Sequence, residues 1–114
     1  MKKAVIYFLL VALFTSCQDE DIPKGFPACV KRKISRLKNE PTRNPPAKVW
    51  QYQYKGQTVY YIPPTCCDQM SQLYDENCNL ICHPDGGLTG RGDGKCAEFF
   101  SARTNEKLVW EDKR

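Results

Sequence analysis

The chain has 114 residues, seven cysteines and a formal net charge of +4. Lys2 and Lys3 supply half of that charge, because residues 17–114 carry fifteen Lys and Arg against thirteen Asp and Glu. Such a balanced composition argues against nucleic-acid binding, which needs a strongly basic face, and the length predicts one small domain with a limited core.

The N-terminal segment has the pattern of an export signal. Two lysines precede an apolar run over residues 4–14, and small residues follow before Cys17. The run is about half as long as the roughly 20 residues that a membrane-spanning helix needs. We therefore predict a signal peptide at residues 1–16 and no transmembrane helix in the mature chain.

Residues 13–17 read Leu-Phe-Thr-Ser-Cys and resemble the lipobox of bacterial lipoproteins, although Phe14 stands where that motif most often has leucine. The resemblance implies that Cys17 is acylated and becomes the first mature residue, with two or more acyl chains (palmitate among them) for stable anchoring. The acidic residues 19–21 resemble the signal that takes lipoproteins of Bacteroidota to the cell surface, and a plain acidic tether is the alternative. We expect an outer-membrane protein, on the periplasmic face or the cell surface, that is monomeric and has a protein or glycan partner.

Six further cysteines, an even number in an exported chain, predict a disulfide framework. They are Cys29, Cys66, Cys67, Cys78, Cys82 and Cys96. A bond between the adjacent Cys66 and Cys67 is disfavoured, because α-carbons about 3.8 Å apart are closer than a relaxed disulfide requires. In an extended chain these two side chains point to opposite faces, so one bridge could run to Cys29 and another to Cys96, with the pairing left open.

Residues 17–27, with acids, two prolines and a glycine, are predicted to form a tether, and residues 28–114 to form the domain. Val30, Ile34 and Leu37 recur at helical spacing and predict an amphipathic helix over residues 28–39. Its basic residues are expected to form a solvated face, with binding of lipopolysaccharide or acidic glycans as the alternative. They are Lys31, Arg32, Lys33, Arg36 and Lys38. Prolines 41, 45 and 46 then predict an extended linker.

Residues 48–63 read KVWQYQYKGQTVYYIP and predict a β-hairpin with Lys55 and Gly56 in a two-residue turn. That turn would place Trp50, Tyr52 and Tyr54 on one face. We favour this aromatic face as the core, with a sugar-binding platform as the alternative.

A second hairpin is predicted over residues 73–82, a helical turn over residues 96–102 and a last strand at residues 107–110. Since an isolated hairpin is unstable in water, the helix must pack on the sheet. The predicted fold class is α+β: one N-terminal helix packed on a small antiparallel sheet of hairpins, stapled by disulfides.

Residues 59–96, with Cys-Cys-Asp-Gln and Pro-Asp-Gly-Gly-x-Thr-Gly-x-Gly-Asp-Gly-Lys-Cys, resemble an uncharacterised family of small exported lipoproteins of Bacteroidota. The resemblance covers residues 45–110 and implies a cellular location and a domain type, but it implies no activity. Cys78 occupies a turn position where relatives are expected to have glycine.

The glycine-rich loop at residues 84–96 departs from phosphate-binding patterns. Asp85, Thr89 and Asp93 could supply oxygen ligands to Ca²⁺, although the spacing fits neither an EF-hand nor a repeat array. Arg91-Gly92-Asp93 spells the tripeptide that integrins recognise, a match that chance also explains. We favour a turn-rich connector between bridges at Cys82 and Cys96.

Enzymatic activity and a resident cofactor are not expected. The chain has one histidine, His83, and lacks the G-x-S-x-G and H-E-x-x-H motifs. A metal site of His83 with the cysteines at 66, 67, 78 and 82 is disfavoured by the spacing and by an oxidising compartment. The sequence therefore favours a lipid-anchored, non-catalytic binding or structural module, with a small protease inhibitor or a calcium-dependent adhesion module as alternatives.

Overall fold

The computed structural model describes residues 22–66 and 68–114. The predictions for the signal peptide, Cys17, the acidic stretch and Cys67 lie outside these residues. Within the two ranges, no helix is long and apolar enough to cross a membrane. The elements in chain order are α1 (Ala28–Asn39), β1 (Lys48–Tyr54), β2 (Gln57–Ile62), β3 (Gln72–Tyr74), β4 (Leu80–Cys82), α2 (Phe99–Ala102) and β5 (Thr104–Glu111).

Helix α1 begins and ends where the apolar spacing predicts. Val30, Ile34 and Leu37 are its buried residues. Arg114 caps the C-terminus of this helix. Its Nη2 donates hydrogen bonds to the carbonyl oxygens of Glu40, at 2.8 Å, and Leu37, at 3.3 Å. A cation at this position also interacts favourably with the negative end of the helix dipole.

The β1–β2 hairpin has the predicted turn and register. Trp50 pairs with Tyr61 and Tyr52 with Val59. Lys55 and Gly56 have φ angles of 49° and 78°, the left-handed conformation that a two-residue type I′ turn requires at both positions.

The five strands form one antiparallel sheet in the order β4-β3-β2-β1-β5. The predicted β3–β4 hairpin is present, and the side chain of Asp75 caps its turn by accepting the backbone N–H groups of Asn77 and Asn79 at 2.9 Å. Cys78 has a φ of 60°, in agreement with the expectation that glycine suits this position. The last strand, β5, pairs with β1 at one edge of the sheet.

Both faces of the sheet are buried, whereas the sequence favoured the aromatic face alone. On one face, α1 packs on Val49, Tyr60 and Trp110. On the other, Tyr52, Tyr54 and Tyr61 surround Phe99 of α2, and the ring centroids of Tyr54 and Phe99 are 5.2 Å apart. The difference arises because the apolar residues of β1 and β2 alternate onto both sides of the pleat, and each side has its own covering segment.

Disulfides join Cys29 to Cys78 and Cys82 to Cys96, with Cα–Cα distances of 6.0 and 6.3 Å. The first attaches the first turn of α1 to the β3–β4 turn, and the second closes the glycine-rich loop. Cys66 is also disulfide-bonded. The suggestion that Cys29 and Cys96 join the 66–67 junction was wrong, because the β3–β4 hairpin places nearer partners beside both. Cys78 and Cys82 are therefore oxidised, which removes them from the alternative metal site.

Candidate functional site

A cleft opens between the C-terminal half of α1 and the chain that connects β2 to β3. Its volume is about 320 Å³, near the lower end of the range for small-ligand sites. It is lined by Lys33, Arg36, Leu37, Glu40, Arg43, Ile62, Pro63, Thr65, Gln69, Met70, Gln72 and Tyr74. We call it the basic cleft, because its lining includes three cationic side chains and one carboxylate.

The ammonium group of Lys33 lies over the ring of Tyr74, with Nζ 3.7 Å from the ring centroid. Burial, and secondarily the charge of Arg36, lowers the pKa of Lys33. The face of an aromatic ring attracts a cation, which partly offsets the cost of removing this charge from water. Tyr74 therefore holds Lys33 in a defined position at the cleft wall.

The two arginines of the cleft differ in their surroundings. Arg43 Nη2 donates a hydrogen bond to Glu40 Oε2 at 3.0 Å, and the Arg43 side chain is only 15% exposed. Arg36 is exposed and forms no salt bridge with any side chain in the part of the chain that the structure describes. Since Glu40 offsets only Arg43, the basic cleft keeps an excess of positive charge at Lys33 and Arg36.

The opposite wall supplies neutral polar groups. The hydroxyl of Tyr74 donates a hydrogen bond to Gln72 Oε1 at 2.8 Å, which leaves the amide N–H₂ of Gln72 available as a donor. Thr65 and Gln69 add a hydroxyl and a second amide to the lining. Met70, 42% exposed, contributes apolar surface.

The glycine-rich loop forms the support behind this wall. The backbone N–H of Gly87 donates to the carbonyl of Gln69 at 2.9 Å, and that of Ser71 donates to the carbonyl of Asp85 at 3.0 Å. Gly92 passes so close to His83 that a β-carbon at Gly92 would overlap the carbonyl oxygen of His83. The loop is thus packed closely against its neighbours.

The candidate calcium ligands make hydrogen bonds within the loop and to the sheet. Asp85 Oδ1 accepts the hydroxyl of Tyr61 at 2.7 Å, and Asp93 accepts the backbone N–H groups of His83, at 3.1 Å, and Lys95, at 3.0 Å. Within residues 22–66 and 68–114, no three His, Cys, Asp or Glu side chains gather in a metal-binding arrangement. Thr89 also acts locally, since its hydroxyl accepts the N–H of Arg91 at 3.2 Å.

The imidazole of His83 contacts the backbone of the sheet region. Its Nδ1 lies 2.7 Å from the carbonyl oxygen of Ser71, so that nitrogen must carry the proton and donate it. Asp93, the last residue of the Arg-Gly-Asp tripeptide, is held by the hydrogen bonds already described. Both residues therefore make contacts that support the loop.

The sequence located the basic residues of α1 but not the cleft that two of them line. Lys33 and Arg36 are three residues apart and therefore neighbours on a helix surface, which could have singled them out. Arg32 is exposed and lies outside the cleft lining. Which basic residues of α1 line the cleft depends on where residues 62–74 lie against the helix. The spacing of residues along the helix does not predict that position.

These features define a small α+β domain, stapled by disulfides, with a basic cleft beside its helix. The sequence profile of DUF6970, a domain of unknown function, matches residues 35–112, and the chain belongs to this family. The matched range contains every residue of the cleft except Lys33. No curated protein and no solved structure matches the chain.

Proposed function

We propose that the chain is a non-catalytic binding module of the cell envelope of Bacteroidota, anchored to the outer membrane by lipid on Cys17. The observation that carries the binding role is the positive charge of the basic cleft that no described carboxylate offsets. The anchor rests on the lipobox-like residues 13–17, and the surface address on the acidic residues 19–21.

The contacts of the reactive side chains support a non-catalytic role. Nucleophilic catalysis by cysteine needs a free thiolate, and the cysteines at 29, 66, 78, 82 and 96 are disulfide-bonded. His83 donates its Nδ1 proton to a backbone carbonyl and faces no such nucleophile. Binding without chemistry is the simpler use of this site.

The start of the described chain bears on the distance between the domain and the membrane. Ile22 and Phe26 pack against the helix-side core, although both fall in the predicted tether. Only residues 18–21 separate Cys17 from Ile22, and at about 3.3 to 3.6 Å per residue they reach less than about 20 Å. A lipid on Cys17 would hold the domain close to the membrane surface.

Metabolic labelling with palmitate tests the anchor. We expect the wild-type chain to be labelled and to fractionate with the outer membrane, whereas Cys17→Ala abolishes the label. Ser16→Ala is the matched control, because it keeps a small residue before the cleavage point and should retain the label. Unchanged labelling of Cys17→Ala would refute the anchor.

Protease treatment of intact cells tests the surface address. We expect added protease to cleave the domain of the wild-type chain, in which residues 19–21 are acidic, on intact cells. A variant with Asp19→Asn, Glu20→Gln and Asp21→Asn should be protected until the outer membrane is opened. Equal cleavage of both chains would show that the acidic stretch is only a tether.

A protease inhibitor is the second candidate, favoured by one observation. Leu88 is 92% exposed at the tip of the loop closed by the Cys82–Cys96 disulfide. A rigid loop loses little freedom on binding, and an exposed apolar side chain could enter a specificity pocket. We expect Leu88→Asp to abolish inhibition if this role is correct. A panel of proteases whose activity the wild-type chain does not reduce would rule the role out.

A further inference from the structure

We infer that the basic cleft binds a saccharide that carries a carboxylate, as the uronic acid units of acidic glycans do. This inference rests on the proposed binding role and names its ligand class.

The carboxylate would be held by Arg36. A guanidinium presents paired N–H donors that match the two oxygens of a carboxylate, and charge-assisted hydrogen bonds of this kind are the strong ones. Arg36 is exposed and has no salt-bridge partner among the described residues, so binding breaks no existing ion pair. Lys33, fixed over Tyr74, adds a second positive charge beside it.

The position of the cleft on α1 favours a carboxylate over phosphate. Leu37 and Glu40 lie at the C-terminal end of the helix, where the helix dipole is negative. Phosphate sites typically use the opposite end, with its free backbone N–H groups. Arg114 offsets part of this negative end, and the repulsion that remains acts less on a singly charged carboxylate than on a phosphate that carries nearly two charges.

The remainder of the lining fits a sugar ring. Thr65, Gln69 and Gln72 provide neutral hydrogen-bonding groups for hydroxyls, while Pro63 and Met70 provide apolar surface for the C–H faces of the ring. The lining is more polar than apolar, which suits a ligand that carries many hydroxyl groups.

A second depression, of about 540 Å³, lies beside the cleft. The two depressions are adjacent, because both are lined by Glu40, Arg43, Thr65 and Gln69. The added space would accommodate a second sugar unit, and we therefore expect an acidic oligosaccharide to bind more tightly than its monosaccharide.

The test is an NMR titration of the full chain, purified from the cell fraction in which it is found, with detergent where it carries lipid. Digalacturonate is the probe, and the neutral galactose disaccharide and inorganic phosphate are the comparisons. The signals of the Gln69 and Gln72 side-chain amides report occupancy of the cleft. Arg36→Gln removes the proposed carboxylate partner, and Arg32→Gln is the matched control with the same change in charge on the same helix.

We expect digalacturonate to shift both amide signals and to bind at least about tenfold more tightly than the neutral disaccharide. Arg36→Gln should weaken digalacturonate binding about tenfold or more, whereas Arg32→Gln should change it less than about twofold. Added salt should weaken the binding as well.

Equal binding of the charged and neutral sugars, tighter binding of phosphate, or equal effects of Arg36→Gln and Arg32→Gln would each overturn the inference. None of these results depends on the lipid anchor. Loss of the anchor would appear in the palmitate experiment and would leave the titration unchanged.

Discussion

Replacing Gly92 by alanine should damage the fold through one close backbone approach. Gly92 has a φ of 63°, and a β-carbon there would overlap the carbonyl oxygen of His83 and lie 2.8 Å from the backbone nitrogen of Asp85. Both neighbours are backbone atoms, so the two chain segments must separate. The hydrogen bonds from Gly92 N to Gly86 O and from Asp93 N to His83 O, each 3.0 Å long, would then be lost.

The magnitude follows from these contacts. A left-handed φ costs alanine about 1 to 2 kcal/mol, partly offset by a stiffer unfolded chain. Two lost hydrogen bonds add about 1 kcal/mol each. We therefore expect Gly92→Ala to lower the free energy of unfolding by about 3 kcal/mol.

Gly94→Ala is the matched control for Gly92→Ala. Gly94 has a φ of 76° but no heavy atom within 4 Å of the β-carbon position, so only the backbone strain applies. We expect a loss of about 1 kcal/mol, measured for both variants by urea unfolding. Equal losses in the two variants would refute the argument that close packing, rather than positive φ alone, requires glycine at position 92.

Acid, calcium and removal of a disulfide test other contacts. Hydrogen bonds from Tyr54 and Lys55 lower the pKa of Glu98 from 4.5 to about 2, so its contact stabilises the fold above pH 4.5 and is lost as the pH falls toward 2. In an NMR titration Tyr54→Phe should raise the midpoint of Glu98, and an unmoved midpoint would contradict this contact. Because backbone N–H groups occupy the Asp93 carboxylate, millimolar Ca²⁺ should leave the melting temperature unchanged, and a clear rise would restore the calcium alternative. Cys82→Ser combined with Cys96→Ser should cost about 3 kcal/mol, the loop entropy for a separation of 14 residues, and an unchanged urea midpoint would count against it.

The sequence predicted the elements whose signals are local. Helix α1 follows from apolar residues at 3.6-residue spacing, and the β1–β2 register follows once Lys55-Gly56 is recognised as the turn. In each case neighbouring residues carry the information.

The features that the sequence left open depend on contacts between distant segments. Pairing of β5 with β1 joins residues more than fifty positions apart, and no turn signal specifies it. The Cys29–Cys78 bond depends on how α1 lies over the β3–β4 turn. The basic cleft has the same origin, because Arg36 and Gln72 become neighbours in one lining only after the helix has packed on the sheet.

The Cys29–Cys78 bond fastens α1, one wall of the basic cleft, to the β3–β4 turn, so the proposed binding role depends on it most directly. Mass spectrometry of peptides from non-reduced protein measures the pairing. We predict one cross-linked pair containing Cys29 and Cys78 and another containing Cys82 and Cys96. Free thiols at these four positions, or Cys29 joined to any other cysteine, would contradict the account.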